Sequence, residues 1–472
     1  MIAASLFKRY DIRGRALGED APLTREAAYL IGRAFATWLA RHHGRRQVVL
    51  GRDNRLTSSA LAAAFSHGLR ESGCAVIDLD IVSTPLVYWY AVQYDNCGGV
   101  MVTGSHLGPD QNGFKLCIGA VNVYGDQLQE LRQLIEAQDF EAAAAKAAEQ
   151  REPSAIRTYS LLTAMRVRVP RPLRVVVDAG NGTAGLIAPG LLRSWGMEVV
   201  PLFCEPDGHY PNHQPDPQAP QNMRALGDKV RETGADIGLG FDGDADRLGA
   251  VDEQGAYISP DRLLALLAVD MLGRRPGAAV VADVLTSQTV FDAVKQAGGR
   301  PILWASGHAL VKEKMRAEKA LLGGEASGHI FLAEDYYGFD DAYLAAGRLL
   351  RLLAASGQPL SQRVAELPSY FSTPEYRPHC ADDAKARVIA GVRAALESDH
   401  DVEKVIDVDG VRIQYAHGWG LLRASNTEPV LSLRFEATTQ AHALALRDRF
   451  FAALAHYPEV ETISSDAQEP SA

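Results

Sequence analysis

Apolar runs alternate along the chain with amphipathic stretches and glycine-closed turns, and three segments share one order of parts. In the first, QVVLGRD (47–53) reads as a buried strand, TSSALAAAFSHGLRES as a helix opened by Thr57 or Ser58, and CAVIDLD as a second strand after the stop at Gly73. In the second, RVVVDAG from Arg174 leads through NGTAG to the helix LIAPGLLRSW, which Gly196 ends before MEVVPLF. In the third, AVVADV from Ala279 leads to the helix SQTVFDAVKQA, which Gly298 and Gly299 end before RPILWAS. Apolar strands around a glycine-stopped helix predict a parallel α/β layer, and the recurrence predicts three domains of one design.

Each unit offers a third apolar run that ends in a polar loop. GVMV leads to TGSH, IGLGF (237–241) to DGDADR, and ALLG (320–323) to GEASGH. Ligands of parallel α/β sheets sit beyond the carboxyl ends of the strands, so the three loops are expected to face one cleft. The last hundred or so residues differ: GVRIQY, WGLLRA and VLSLRFEA read as antiparallel strands, RASNTEP joins two of them, and HALALRDRFFAALA closes as a helix. Proline, glycine and charge interrupt the pattern near 151–171, 252–260 and Pro368. The expected architecture is therefore α/β, with three similar mixed-sheet domains at 1–150, 151–252 and 253–367 and an α+β domain at 368–472. The terminal SSDAQEPSA reads as a frayed end.

Composition narrows the function classes. A chain of 472 residues needs several cores, and none of its apolar runs approaches the roughly 18 residues of a membrane span. The start, MIAASLFKRYDIRG, has no basic segment followed by an apolar one and a cleavage site, so the cytoplasm is the expected compartment. Five scattered cysteines without CxxC spacing argue against a disulfide framework and a zinc site. A net charge of -10 leaves no footprint for nucleic acid, and neither nucleic acid nor membrane is an expected partner. Small anions remain open, since local donors hold them.

Asp242, Asp244 and Asp246 alternate with Gly243 and Ala245, which packs three carboxylates into five residues. Like charge at that density is costly unless a cation neutralises it, and hard oxygen ligands suit Mg²⁺ or Ca²⁺. An EF-hand would place Glu253 at its twelfth position, but Arg247 stands where that loop turns on glycine, and the flanks are strand-like. A solvated acidic hairpin is the plainer alternative. Ser105, in TGSH, lacks the G-x-S-x-G elbow of a hydrolase, and its neighbour His106 proves no hydrogen bond. A turn hydroxyl and a carrier of phosphate both fit it, and a phosphoserine beside three aspartates would call for a divalent ion. Lys115 offers a cation, or a general acid/base if positive neighbours lower its pKa, and a surface lysine fits equally. Glu325, Ser327 and His329, at alternate positions, suit vicinal sugar hydroxyls or a polar turn. Arg423, Ser425, Asn426 and Thr427 suit a phosphate dianion or a salt-bridged turn. Tyr10, Arg13 and His308 are further polar candidates.

Together these stretches resemble the α-D-phosphohexomutase superfamily, most closely its bacterial phosphomannomutase/phosphoglucomutase branch. The resemblance runs along nearly the whole chain: YDIRG, GRDNR, TGSH with NGFK, EPDG with PNHQPDP, DGDADR, SGH, GEASGH, and RASNTEP with VLSLRFEA. It implies four domains around a central cleft and an isomerase that interconverts hexose 1-phosphate and hexose 6-phosphate through a phosphoserine and a hexose 1,6-bisphosphate. It implies that Ser105 carries phosphate and, with Asp242, Asp244 and Asp246, binds Mg²⁺, and that a hexose 1,6-bisphosphate is the activator. Arg13, His106, Lys115 and Arg247 would then lie near the transferring phosphoryl group. Tyr10, His308, Glu325, Ser327 and His329 would meet the sugar, and Arg423, Ser425, Asn426 and Thr427 the non-reacting phosphate. Hexose phosphates are the implied partners of a monomer or weak homo-oligomer.

Two departures bear on this. Leu107 and Gly108 replace the asparagine that usually follows SH, so a bracing amide is missing. Leu285 stands where the branch often has a lysine expected to meet substrate. A phosphatase, a phosphoglucosamine mutase and a non-catalytic sugar-phosphate-binding protein are the rivals, although the phosphoglucosamine branch generally has glycine where Asn426 stands.

Overall fold

A computed structural model describes residues 2–425 and 428–461. Four sheets follow one another along the chain, and the first three repeat one strand order. In the first, Gln47–Arg52 lies between Ala75–Ile81 and Gly98–Val102, parallel to both, and Gln111–Ile118 pairs antiparallel with Gly98–Val102. In the second, Arg174–Asp178 lies between Glu198–Leu202 and Ile237–Phe241, and Leu248–Val251 folds back on the latter. In the third, Ala279–Asp283 lies between Arg300–Trp304 and Leu322–Gly324, and Ile330–Leu332 folds back. Each polar loop of the three repeated units is thus the turn of an antiparallel hairpin that closes a parallel layer, which is why the three loops are equivalent.

The apolar runs became strands because burial on both faces rewards unbroken apolar sequence. The glycine after each helix does what the sequence required: Gly73 and Gly196 take φ of 84° and 85°, where a side chain would strain the backbone. Two local expectations differ. Thr57 precedes the helix Ser58–Glu71 but makes no capping bond; its hydroxyl accepts instead from Asn112 Nδ2 at 2.8 Å. The stretch LIAPGLLRSW is broken at Ile187 into a 3₁₀ turn, Thr183–Leu186, and a helix, Ala188–Ser194, with proline in its first turn.

The fourth sheet is antiparallel throughout, in the order Phe371–Ser372, Leu431–Ala437, Gly418–Ala424, Val411–Tyr415, Val402–Ile406. Helices Asp382–Leu396 and Gln440–Leu454 bury their apolar sides against it in a core of its own. The first three domains instead share one continuous core that runs from Val49 through Phe241 and Tyr343 to Val364.

Candidate active site

Thr103, Gly104 and Ser105 leave the buried strand Gly98–Val102 in a tight turn, with Ser105 at φ 50° and its N–H donated to Thr103 Oγ1 at 2.8 Å. Arg55 fixes that turn from beneath. Its guanidinium is fully buried and donates to the carbonyls of Ser105 (2.7 Å), Leu107 (2.6 Å), Gln111 (3.0 Å) and Gly108, while Nε meets Asp53 at 3.1 Å. A Cβ at Gly104 would stand 2.6 Å from the guanidinium carbon, so only glycine admits the clamp there. Arg55, from within GRDNR, thus braces the turn that holds Leu107 and Gly108.

The aspartate loop is the turn between Ile237–Phe241 and Leu248–Val251. Asp242 Oδ1 accepts from the backbone of Asp246 (3.0 Å) and Arg247 (3.1 Å), which turns the other oxygen toward Ser105 Oγ at 2.8 Å. Asp244 Oδ2 accepts from Thr84 Oγ1 and Lys115 Nζ, both at 2.6 Å, and Lys115 also donates to Asp246. All three aspartates are buried, and one oxygen of each lies within 4.8 Å of the others. Asp244 Oδ1 and Asp246 Oδ1 have no hydrogen-bond partner among the described residues. Asp246 Oδ1 does lie 3.3 Å from His329 Nε2, but Asp244 Oδ1 stays orphaned, and an unpartnered oxygen in a buried carboxylate triad fits a divalent cation. Glu253 turns away to Ser361, and strands flank the loop, so the EF-hand alternative is excluded.

Burial and the other two aspartates push the Asp242 carboxyl well above its usual range. Burial pushes Asp246 in the same direction, but Lys115 and His329 outweigh it and hold that carboxyl low. Lys115 corrects one expectation: its neighbours are carboxylates rather than cations, and they outweigh burial to raise the ammonium above its ordinary value. It is a fixed cation in this arrangement. His106, with Nδ1 3.3 Å from Ser105 Oγ, is held neutral by burial and by Arg247, Arg13 and Lys115.

Beside the aspartate loop, Glu325 takes the Gly307 N–H at 2.6 Å and His329 Nδ1 at 2.9 Å, and Ser327 Oγ also meets Nδ1 at 2.9 Å. Burial lowers the His329 pKa, but Asp246 and Glu325, facing opposite ring nitrogens, raise it on balance to about 9. His308 is held neutral by burial and Lys312, and its Nδ1 has no partner among the described residues. Tyr10 donates to Ser306 O at 2.7 Å, which joins the first domain to the third. Arg13 is oriented by Asp11, 2.8 Å from Nε, and Arg423 by Asp409, 3.0 Å from Nε. Asp409 also accepts the Ser306 N–H at 3.1 Å. Ser425 Oγ accepts from Glu428 N at 3.3 Å; Asn426 and Thr427 lie outside the described residues.

These groups line one cavity of about 810 Å³. Tyr10, Arg13, Ser105, His106, Lys115, Arg247, His308, Glu325, Ser327, His329, Arg423 and Ser425 all reach it, with the aspartates buried behind Ser105 and Lys115. Leu285 does not line it. Its side chain packs against the seam residues Val284, Trp419 and Leu421, and its carbonyl accepts from Arg434 at 2.6 Å. The sequence reading gave no role to Arg55, Asp11 or Asp409, each of which orients a functional group; the GRDNR and YDIRG motifs were the available signal for the first two.

Four family descriptions match in succession: "Phosphoglucomutase/phosphomannomutase, alpha/beta/alpha domain I" over residues 4–142, domain II over 158–255, domain III over 259–371 and the C-terminal domain over 375–453. Among curated relatives, a phosphomannomutase/phosphoglucomutase of Pseudomonas putida is 43% identical over 447 residues, 94% of each chain. A phosphoglucomutase of Neisseria gonorrhoeae is 41% identical over 459 residues, 97% of this chain and 98% of its own. A crystal structure of a phosphoglucomutase/phosphomannomutase family protein from Burkholderia thailandensis superposes with a TM-score of 0.90 at 39% identity, over 98% of this chain and 99% of that one.

Proposed function

The chain belongs to the phosphoglucomutase/phosphomannomutase family, and we propose that it interconverts hexose 1-phosphate and hexose 6-phosphate through a phosphoryl group carried on Ser105. The observation that carries this reading is one cavity with two unlike ends. At one end Ser105 Oγ is held 2.8 Å from the buried aspartate triad; at the other stand Arg423 and Ser425 of the fourth domain. A phosphatase would need only the first end, and a binding protein only the second.

In the forward half-reaction the free hydroxyl oxygen of the bound hexose monophosphate bonds to phosphorus, and the bond from phosphorus to Ser105 Oγ breaks. His308, neutral with Nδ1 unpartnered, is suited to take the hydroxyl proton. Arg13, Lys115 and Arg247 offer cations to the equatorial oxygens. Glu325 and Ser327 offer hydrogen bonds to the sugar hydroxyls, and Arg423 with Ser425, Asn426 and Thr427 holds the phosphate that does not react. The bisphosphate then turns over, and its other phosphate returns to Ser105. Asp242, Asp244 and Asp246 would hold Mg²⁺, which would neutralise charge beside the phosphoserine. A hexose 1,6-bisphosphate restores Ser105 after accidental hydrolysis, and so acts as an activator. Five free cysteines suit the cytoplasm.

Phosphorus NMR tests the reading. With Mg²⁺, a trace of glucose 1,6-bisphosphate and either glucose 1-phosphate or mannose 1-phosphate, the expected result is growth of a 6-phosphate signal that Ser105→Ala abolishes. Release of inorganic phosphate alone would identify a phosphatase instead.

A further inference from the structure

A second cavity, of about 500 Å³, shares no lining residue with the first. It lies where the segment after helix Ala155–Ala164 meets the third domain, and five guanidinium groups converge on it: Arg166, Arg274, Arg275, Arg348 and Arg351. Glu334 is the common partner of three of them. It accepts from Arg274 Nη2 at 2.7 Å, and Arg348 Nη1 and Arg275 Nε approach it at 3.5 and 3.6 Å. Arg351 and Arg274 share Asp270 at 2.5 and 2.6 Å. Arg166 donates to the Asp335 carbonyl at 2.7 Å and lies 5.1 Å from the Tyr336 ring centre.

The charges do not cancel. Five arginines face Glu334, Asp270 and Asp335, a surplus of two positive charges in a chain whose net charge is -10. Arg348 is 7% exposed, and its Nε has no hydrogen-bond partner among the described residues. Burial and the nearby Arg351 hold its guanidinium below the ordinary range. Self-repulsion among confined guanidiniums is relieved by an anion, and the planar fork of arginine matches the oxygens of phosphate. We propose that this cavity binds a small phosphate-class anion carrying two or more negative charges. Bound there, it would tie Arg166, on the segment entering the second domain, to Arg275 and Arg351 of the third.

Calorimetric titration of the full chain with inorganic pyrophosphate tests this. In an Arg423→Ala background, which weakens the first cavity, one class of binding is expected to remain and to weaken with added salt. Arg275→Glu and Arg166→Glu, each introduced into that background at an exposed side chain, are expected to weaken the remaining class roughly tenfold or more while leaving the melting temperature unchanged. If either reversal lowers the melting temperature, Arg275→Gln replaces it. Unchanged affinity in both variants overturns the proposal, and so does loss of all pyrophosphate binding in Arg423→Ala alone.

Discussion

Ser105 at φ 50° and Ala245 at φ 56° both lie in left-handed backbone that non-glycine residues enter at a cost of about 1–2 kcal/mol each. The strain persists because the surroundings over-determine both turns: Arg55 grips four carbonyls of one, and Asp242 Oδ1 gathers two backbone N–H groups of the other. Ser105→Ala and Ser105→Gly both remove the hydroxyl, and both are expected to lose mutase turnover. Only glycine also relieves the backbone, so the glycine variant should be more stable than the alanine variant by about 1 kcal/mol. Denaturant melts of the two proteins check this, and equal midpoints would show that the turn stores no strain. Arg55→Lys keeps the charge but offers one ammonium where a fork now reaches four carbonyls. Because Arg55 positions the loop without lining the cavity, kcat is expected to fall roughly tenfold or more while KM changes little. Steady-state kinetics reads the split; a rise in KM alone would give Arg55 a substrate-facing role.

At the scale of elements, what the sequence made legible was whatever burial writes into a run of residues. The strands at 47–52, 174–178 and 279–283, the helices that follow the first and third of them and the polar loops of each third run all followed from apolar periodicity and glycine stops. The strands that close each hairpin were harder to read, because Gln111–Ile118 begins with polar residues and Ile330–Leu332 is only three residues long. Contacts between distant segments left no local trace: Thr57 gave up its cap for Asn112, and the charge state of Lys115 depends on aspartates more than 125 residues away. Another such contact fastens the PNHQPDP segment. His213 Nε2 meets Asp178 at 3.0 Å at the end of the strand Arg174–Asp178, while Nδ1 donates to Gln214 O at 2.8 Å. The same segment brings Gln214 and Asp216 to the cavity. Burial lowers the His213 pKa, but Asp178 outweighs it, so the folded value lies above the ordinary one. A raised folded pKa contributes stability that is complete below the unfolded value of about 6.5 and is lost as pH rises through the folded value. His213→Asn should therefore lower the melting temperature more at pH 5.5 than at pH 8.5. A difference from wild type that is constant across that range would count against an imidazolium at this position.

One core cluster runs through the first three domains, which add further clusters of their own, while the fourth packs around a separate one, and hydrogen bonds and an ion pair cross the join to it. Val284 and Leu285, with Leu303, meet Trp419 and Leu421 in a small apolar contact. Around it, Arg412 Nη1 donates to the carbonyls of Val284 (2.8 Å) and Thr286 (3.1 Å), with its guanidinium 3.7 Å from the Trp419 ring centre. Arg434 reaches Leu285 O and Asp261, and Glu436 takes the Gln288 N–H at 2.7 Å. Hydrogen bonds to carbonyls can be exchanged for water at far lower cost than a shared apolar core can be opened, so the fourth domain is the one placed to move against the rest. It carries Arg423 and Ser425 to the cavity, so under the proposed function its position would set how well the distal phosphate is held and how completely water is excluded from Ser105. Arg412→Met keeps the bulk under Trp419 but removes both donors. The seam of that variant should exchange amide hydrogens faster at residues 284–288 and 411–422, while the strands of the first three sheets exchange as before. KM for hexose phosphate should rise roughly tenfold, with kcat less affected, because the lost hydrogen bonds act on closure rather than on the phosphoserine. If the seam stays protected and KM is unchanged, the docking of the fourth domain rests on the apolar contact instead, and Leu285, rather than Arg412, is the residue that governs it.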